Sequence, residues 1–247
     1  PPVERHRHQV VGVEALLRWP VGAERFIPPL AFIPILEAAG KIGVLTRWVV
    51  HRALAQLARW HECGFAFGMS INVARADVLD VGFAAFVRTQ AALYGIAPEL
   101  LTFELAATSI IADAEGVLEG VCALRDVGVQ IALDDFSTAY GAFPIVGELP
   151  LRTLKIDRTF VMGMSRLPND EAVVRSTIVA AHDLGLTATA EGVYSKRVLD
   201  LLSQAGCDEV QGFQVSPPQS AEDISDWLGK TSWLTVRQSP RAMTTAR

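Results

Sequence analysis

The chain has 247 residues, half of them hydrophobic and a fifth charged, and its 22 basic and 27 acidic side chains give a formal net charge of −5 at pH 7. This composition excludes a disordered or fibrous chain, and the length suits either one barrel or two smaller domains. Because the chain has no surplus of Lys and Arg, we expect no DNA binding through phosphate neutralisation.

The sequence pattern indicates neither membrane insertion or secretion nor a disulfide or zinc site. We find no apolar run long enough to span a bilayer and no signal peptide, so we predict no membrane span and a cytoplasmic location. Cys63, Cys122 and Cys207 lie far apart, which argues against a disulfide framework or a zinc knuckle. We therefore expect reduced, buried thiols.

The predicted helices are marked by a polar cap or a proline in front and by a glycine behind. In chain order they are Leu30–Ala39, a run from Thr46 to near Gly64, a run from Asp80 to Gly95, a run from Asp113 to Gly128, Glu171–Leu184, Lys196–Ala205, and a short helix from Ser220 through Trp227.

Short apolar runs of strand length lie between these helices, and each has an acid, an amide or a lysine at or near its end. They are Val10–Glu14, Met69–Asn72, Leu101–Glu104, Val129–Asp135, Thr153–Asp157, Thr187–Glu191 and Glu209–Gln211. Repeated strand–helix units with nearly continuous apolar strands indicate an α/β fold with buried parallel strands. A closed (β/α)8 barrel of the TIM type fits best.

The domain organisation follows from the same pattern. We predict one barrel domain over residues 1–229 and a polar C-terminal tail over residues 230–247. The chain begins with Pro1 and Pro2 rather than an initiator methionine, which suggests a piece of a longer protein.

Parallel barrel strands all point one way, so the side chains at their carboxyl ends meet at one rim. The carboxylates expected there are Glu14, Glu104, Asp134, Asp135 and Glu191. Such a cluster repels itself unless divalent cations neutralise it, and carboxylates with the amide of Asn72 suit two Mg²⁺ or Mn²⁺ ions better than zinc. The adjacent pair Asp134 and Asp135 allows one carboxylate to bridge two ions, an arrangement used in phosphoester hydrolysis.

Two basic side chains complete this predicted site. Lys155, at another strand end, could orient the attacking water or help to deprotonate it, and Arg18 could bind a phosphate oxygen. Each of these short motifs taken alone is also explained by a helix fragment, a turn or a solvated side chain. The recurrence of oxygen ligands at strand ends is what favours a site.

Taken together, the motifs resemble the EAL domain, the bacterial phosphodiesterase that linearises cyclic di-GMP. The resemblance covers nearly the whole chain in order. Its motifs are Glu14-Ala15-Leu16-Leu17-Arg18-Trp19, Phe26-Ile27-Pro28, Ser70-Ile71-Asn72-Val73, Phe103-Glu104-Leu105, Asp134-Asp135-Phe136, Leu154-Lys155-Ile156-Asp157-Arg158, Ala190-Glu191-Gly192-Val193, Gly206-Cys207-Asp208 and Gln211-Gly212-Phe213.

The resemblance implies a modified barrel whose first strand is antiparallel, with most of that strand placed before Pro1. It implies that Glu14, Asn72, Glu104 and Asp134 bind one metal ion, and that Asp134 and Asp135 bind the second. Glu191 and Gln211 would reach the water shell of that second ion, and Lys155 would touch the nucleophilic water. Arg18 would contact a phosphate and Leu16 would lie beside the substrate. The implied partners are cyclic di-GMP, a second copy in a homodimer, and an upstream sensor or signalling domain.

The chain departs from the family pattern at supporting positions. Ala106 and Ala107 replace a threonine and a glutamate, and Tyr194 replaces a second glutamate. Ser137 and Ala139 replace glycines in the loop after the paired aspartates. Loss of such supporting groups leaves two hypotheses open: a slow phosphodiesterase that forms the linear dinucleotide pGpG, or a cyclic di-GMP receptor or dimerising module that does not cut its ligand.

Overall fold

A computed structural model of the chain describes residues 9–22, 25–111, 114–136, 147–231 and 234–235. Strands and helices alternate along this part of the chain in the predicted order. The strands are β1 (Gln9–Val10), β2 (Gly12–Ala15), β3 (Trp19–Val21), β4 (Arg25–Ile27), β5 (Gly68–Asn72), β6 (Leu101–Ala106), β7 (Gln130–Phe136), β8 (Thr153–Ile156), β9 (Thr187–Ala190), β10 (Glu209–Val210) and β11 (Leu234–Thr235).

The helices follow the strands as crossover connections. They are α1 (Pro29–Ala38), α2 (Ile42–Glu62), α3 (Arg75–Val78), α4 (Phe83–Tyr94), α5 (Ala107–Ile111), α6 (Ala114–Val127), α7 (Arg158–Gly163), α8 (Pro168–Asp183), α9 (Lys196–Gln204) and α10 (Ala221–Lys230), with a 3₁₀ turn at Pro98–Leu100. The short helices α3, α5 and α7 and the β3–β4 hairpin were not predicted, because segments this short carry little periodicity.

The predicted helix caps are partly right. Ser195 and Ser220 cap α9 and α10, each accepting a hydrogen bond from a backbone N–H of the first turn. Thr46 does not cap α2, because the helix already starts at Ile42. The Thr46 hydroxyl instead donates a hydrogen bond to the Asp77 carboxylate at 2.7 Å. Asp80 does not cap α4 directly, because Gly82 holds that position. The predicted cap at Asp113 lies outside the described residues.

One main sheet of seven strands, in the order β10-β9-β8-β7-β6-β5-β2, positions the site. All of its pairings are parallel, which confirms the α/β fold class with a curled, barrel-like sheet. The strand order is open rather than closed among the described residues. The side chains after its two edge strands nevertheless meet, since Gln211 donates a hydrogen bond to Glu14 at 2.6 Å.

The strand that carries Glu14 runs in the predicted direction. β2 pairs in parallel with β5 and places Glu14 opposite Ser70. The antiparallel first strand that the resemblance implies, with most of its length before Pro1, lies outside the described residues. The long helix α2 carries the chain back to the starting end of the sheet, so the next strand must run the same way. Antiparallel pairing in the described chain occurs in the β3–β4 hairpin.

The apolar core lies between the sheet and the helices rather than inside the curl of the sheet. Ile71, Phe103, Leu133 and Leu154 alternate with polar or small residues along their strands and are fully buried. Since successive strand residues point to opposite faces, this alternation separates an apolar outer face from a polar inner face.

Two other predictions concern the termini and the thiols. The predicted boundary at residue 229 stays a prediction, although α10 extends to Lys230 and Leu234–Thr235 of the predicted tail pair with Gln9–Val10. All three cysteines are free, but the prediction that they are buried is wrong: Cys63 is exposed just after the end of α2, and Cys122 and Cys207 are half-buried. No helix in the described part of the chain combines the length and the apolar character needed to cross a membrane.

The packing of β6 yields a stability prediction. Phe103 is fully buried and stacks on Phe83 with ring centroids 5.5 Å apart, so Phe103→Ala should lower the free energy of unfolding by about 3–5 kcal/mol, measured by urea denaturation. Phe213, which is 72% exposed, provides the matched control, and Phe213→Ala should change stability by at most about 0.5 kcal/mol. Equal losses in the two variants would contradict the placement of the core on the helix side of the sheet.

Candidate active site

Strand register brings the predicted site residues to one rim of the sheet. Asn72 lies opposite Glu104 across β5 and β6, and Asp134 follows on β7. Lys155 is on β8, while Glu191 and Gln211 immediately follow β9 and β10. Residues that are far apart in sequence thus occupy adjacent strand ends, as a parallel sheet requires.

Lys155 is the centre of this cluster. Its Nζ lies 2.6 Å from Glu104 Oε2 and 2.5 Å from Glu191 Oε1. The same nitrogen is 3.6 Å from Asp134 Oδ1 and 3.8 Å from Glu14 Oε2. One buried ammonium therefore partly neutralises four carboxylates that come from four different strand ends.

Glu14 is held by two amides. Asn72 Nδ2 donates to Glu14 Oε1 at 2.7 Å, and Gln211 Nε2 donates to Glu14 Oε2 at 2.6 Å. Glu14 lies at the end of a strand, which excludes the alternative that the segment Glu14-Ala15-Leu16-Leu17 is a helix fragment. Both edges of the sheet are thereby joined through a single carboxylate.

The paired aspartates lie on an irregular segment of β7. The register between β7 and β8 shifts between Leu133 and Phe136, and Asp135 has a positive φ of 53°. This conformation is uncommon for a residue other than glycine, and it lets two consecutive carboxylates share a site although neighbouring strand residues normally point to opposite faces.

The electrostatics of the cluster follow from burial. Burial raises the pKa of Glu104 to about 8 and that of Glu191 to about 7, although Lys155 lowers both. Partial burial, with the neighbouring Asp134 charge, also raises the pKa of Asp135. Burial would lower the pKa of Lys155, but Glu104 and the other surrounding carboxylates together raise it above its ordinary value. Lys155 is therefore an ammonium, which favours the orienting role predicted for it over the deprotonating role.

The donor set fits a hard divalent cation. Asp134, Asp135 and Glu191 each offer a carboxylate oxygen, and these three oxygens lie within 4.8 Å of one another. Asp134 Oδ1 is buried without a hydrogen-bond partner. A buried oxygen of this kind, among other carboxylates, is a suitable ligand for Mg²⁺ or Mn²⁺.

A large cavity of about 1630 Å³ opens at this rim. Leu16 and Arg18, predicted to meet the substrate, line it together with Glu14, Glu104, Asp134, Lys155, Glu191 and Gln211. Asn72 is exposed beside Glu14, and Asp135 faces a separate cavity of about 280 Å³ together with Ala106 and Arg158. The rim therefore gathers every residue predicted for the site, although Asp135 is directed partly away from the main cavity.

Phe26, Arg158 and Phe213 are among the side chains that line the main cavity but were not predicted for the site. Each belongs to one of the motifs quoted above, and that membership was the available signal. Phe26 and Phe213 are 55% and 72% exposed, which is unusual for phenylalanine away from an interface or a ligand site.

Ala107 and Tyr194, two of the positions that depart from the family pattern, provide no carboxylate to the site. Ala107 is buried at the start of α5, so no carboxylate supports the site from there. The Tyr194 hydroxyl lies 3.2 Å from Ser165 Oγ and 3.4 Å from Arg166, which also lies over the tyrosine ring. Tyr194 is therefore tied to the turn between α7 and α8. The expected effects of Ser137 and Ala139 fall outside the described residues.

The raised pKa values predict how stability depends on pH in the absence of metal. The folded state holds protons on Glu104 and Glu191 at pH values where the unfolded state has released them. This contribution to stability is complete below the ordinary glutamate pKa and is lost as the pH rises through about 7 and about 8. The urea midpoint, measured in EDTA between pH 5 and pH 8, should fall as the pH rises.

Glu104→Gln provides the control for this prediction. The variant removes the more strongly shifted carboxyl group, so its midpoint should vary less with pH than that of the unmodified chain. A midpoint that rises with pH in the unmodified chain would show that these carboxyl groups are not buried as described.

Comparisons with known proteins agree with this geometry. The EAL domain family profile matches residues 1–218. A cyclic di-GMP phosphodiesterase of Pseudomonas aeruginosa, PA2567, is 32% identical over 228 residues, which is 92% of this chain and 39% of that protein. The chain thus spans about two fifths of the length of this curated relative.

Solved structures give the same result. The PaMucR phosphodiesterase in complex with c-di-GMP superposes with a TM-score of 0.83 at 30% identity, covering 88% of this chain and 89% of that one. The EAL domain of Mycobacterium smegmatis DcpA superposes with a TM-score of 0.73 at 33% identity, covering 80% and 87% of the two chains. The profile match over most of the chain, together with these likenesses, shows that the chain belongs to the EAL domain family.

Proposed function

We propose that this chain hydrolyses cyclic di-GMP to the linear dinucleotide pGpG with the help of two divalent metal ions, Mg²⁺ or Mn²⁺. The observation that carries the proposal is the meeting of Glu14, Glu104, Asp134 and Glu191 around Lys155. Membership of the EAL family and likeness to a phosphodiesterase solved with c-di-GMP support the choice of substrate.

The reaction consumes one water molecule. The water oxygen bonds to one phosphorus atom of the ring, the bond from that phosphorus to the 3′ oxygen breaks, and the 3′ oxygen leaves with a proton. The product keeps a 5′ phosphate and the second, intact phosphodiester. This chemistry needs a positioned water molecule and compensation of the charge on the phosphate.

Different side chains of the site would hold the metal ions, position the water molecule and bind the phosphate. Glu14, Asn72, Glu104 and Asp134 would hold one ion, and Asp134 with Asp135 the other, where the ions would activate water and polarise the phosphoryl oxygens. Lys155 donates hydrogen bonds toward the attacking water, and Arg18 binds a phosphate oxygen. Gln211 fixes the Glu14 carboxylate. Glu191 would help to hold the water molecules of the second ion, and Leu16, which lines the cavity, would pack beside the substrate.

A direct assay tests the proposal. With cyclic di-GMP and Mn²⁺ or Mg²⁺, the chain should form pGpG, and Lys155→Met should lower kcat by at least about 100-fold because a positioned donor is removed. Lys196 is an exposed lysine paired with Asp200, so Lys196→Met is the matched control and should retain full activity. Absence of pGpG at high concentrations of folded, metal-loaded protein would refute the enzymatic function.

A second candidate is a receptor that binds cyclic di-GMP without cutting it. It is favoured by the replacement of two supporting carboxylates, since Ala107 is buried and the Tyr194 hydroxyl is engaged by Ser165 and Arg166. Calorimetric titration in EDTA separates the candidates. A receptor should bind the dinucleotide without metal and should form no product when metal is added.

Restoring the lost carboxylates tests whether they limit the rate. The double variant Ala107→Glu/Tyr194→Glu should raise kcat, by about 10- to 100-fold if supporting groups have their usual weight. Tyr194→Phe removes the hydroxyl without adding a carboxylate, so it should give no such gain. An unchanged kcat in a folded double variant would show that the missing glutamates do not limit turnover.

We propose that the chain forms a homodimer, functions in the cytoplasm and works beside an upstream sensor or signalling domain, as the resemblance implies. Analytical ultracentrifugation with and without cyclic di-GMP measures whether the chain forms this homodimer.

A further inference from the structure

The segment that follows β5 contains a buried carboxylate that the proposed reaction does not use. Asp77 lies in the one-turn helix α3 and is 1% exposed. Its Oδ2 accepts two hydrogen bonds, from the Thr46 hydroxyl at 2.7 Å and from the Ala74 backbone N–H at 2.9 Å. Its Oδ1 is buried without a hydrogen-bond partner among the described residues. Such a carboxylate calls for an explanation, because a buried polar oxygen without a partner lowers stability.

Two consecutive residues of α2 hold this segment. Thr46 donates to Asp77 in the interior. Arg47 Nη2 lies 3.0 Å from Asp80 Oδ2 at the surface, where the two side chains are 33% and 42% exposed. Since exposed ion pairs contribute little, the buried hydrogen bond from Thr46 is the stronger tie between α3 and α2.

On its other side, α3 lies directly against α6. A side chain at Gly120 of α6 would collide with the backbone carbonyl oxygen of Val78, so this close approach requires glycine. The helix α3 is therefore held between α2 and α6, and the residues that connect it to β5 have little freedom.

The hydrogen bond to Ala74 extends this restraint to the rim of the sheet. Asn72 is the last residue of β5. The backbone N–H of the next residue, Val73, donates to the Glu104 carbonyl oxygen at 3.0 Å. The N–H after it, that of Ala74, donates to Asp77. Asp77 thus fixes the point at which the chain leaves the sheet, two residues after Asn72.

The Asn72 side chain depends on this backbone for its direction. It is exposed, so packing does little to fix it, and its Nδ2 donates to Glu14 Oε1 at 2.7 Å. Groups that orient a metal ligand without touching the metal typically change metal affinity by about 10- to 100-fold. A residue that fixes the Asn72 backbone can therefore influence the binding of an ion beside Glu14.

We infer that Asp77 is a positioning residue of the metal site, which holds the chain after β5 against α2 and so directs the Asn72 amide toward the ion bound beside Glu14. This role rests on the proposed function, in which Asn72 and Glu14 hold one ion. Stability alone does not require a carboxylate here, since apolar groups of the same shape at Thr46 and Asp77 would be nearly as stable.

The Mn²⁺ affinity of the substrate-free protein, measured by calorimetry, tests this role. Asp77→Ala should weaken Mn²⁺ binding by about 10-fold or more, because the Asn72 backbone is released. Asp77→Asn keeps an oxygen that can accept both hydrogen bonds, so its affinity should stay within about 3-fold of that of the unmodified chain. Asp80→Ala removes the exposed tie of the same segment and is the matched control, with a change below about 2-fold. Equal losses in Asp77→Asn and Asp77→Ala would overturn the inference.

A double-mutant cycle separates positioning from a general loss of structure. If Asp77 acts through Asn72, Asp77→Ala should weaken Mn²⁺ binding in the unmodified chain and have almost no further effect in the Asn72→Ala background. The accompanying loss of stability, measured in urea, should be similar in both backgrounds. Losses of Mn²⁺ affinity that multiply in the double variant would show that Asp77 does not act through Asn72.

Thr46→Val replaces Asp77→Ala in this cycle should the latter not fold, because it removes the same buried hydrogen bond by a nearly isosteric change. The cycle is also independent of turnover. If the chain binds Mn²⁺ but forms no pGpG, the proposed hydrolysis fails while the cycle still decides the role of Asp77. If the folded, unmodified chain binds no Mn²⁺, the positioning role is refuted.

Discussion

The buried ammonium of Lys155 is the interaction on which the site depends. Four carboxylates from four strand ends lie within 3.8 Å of its nitrogen, and without a cation they would repel one another and take up protons. The desolvation that raises the pKa values of Glu104 and Glu191 also gives the cluster its affinity for positive charge. A site held together in this way is prepared for divalent ions, which bring more charge than one lysine.

Alternation along the strands separates stability from function. Residues such as Phe103 and Leu133 face the helices and form the apolar core, while Thr102 and Ala132 on the same strands face inward. The inner face is therefore free to carry charge at the rim, because the hydrophobic contribution comes from the outer face.

The departures from the family pattern affect the surroundings of the site rather than its central groups. The central carboxylates, Asn72, Lys155 and Gln211 are all present and in contact or close to it. Ala107 and Tyr194 lack the carboxylates that the resemblance implies at these positions, and the Tyr194 hydroxyl instead lies beside Ser165 and Arg166 in the turn between α7 and α8. The central groups are thus retained while the positions around them differ, which is why rate and binding must be measured separately.

Local patterns in the sequence determined the alternation of strands and helices, the caps at Ser195 and Ser220, and the set of polar strand ends that identified the family. They could do so because each is a short-range property of consecutive residues. Only the tertiary structure decided that Lys155 is the centre of the cluster, that Cys63 is exposed and that the Tyr194 hydroxyl lies beside Ser165. These facts depend on register, curvature and which strands become neighbours, and distances between atoms from separate strands are fixed only when the whole sheet has formed.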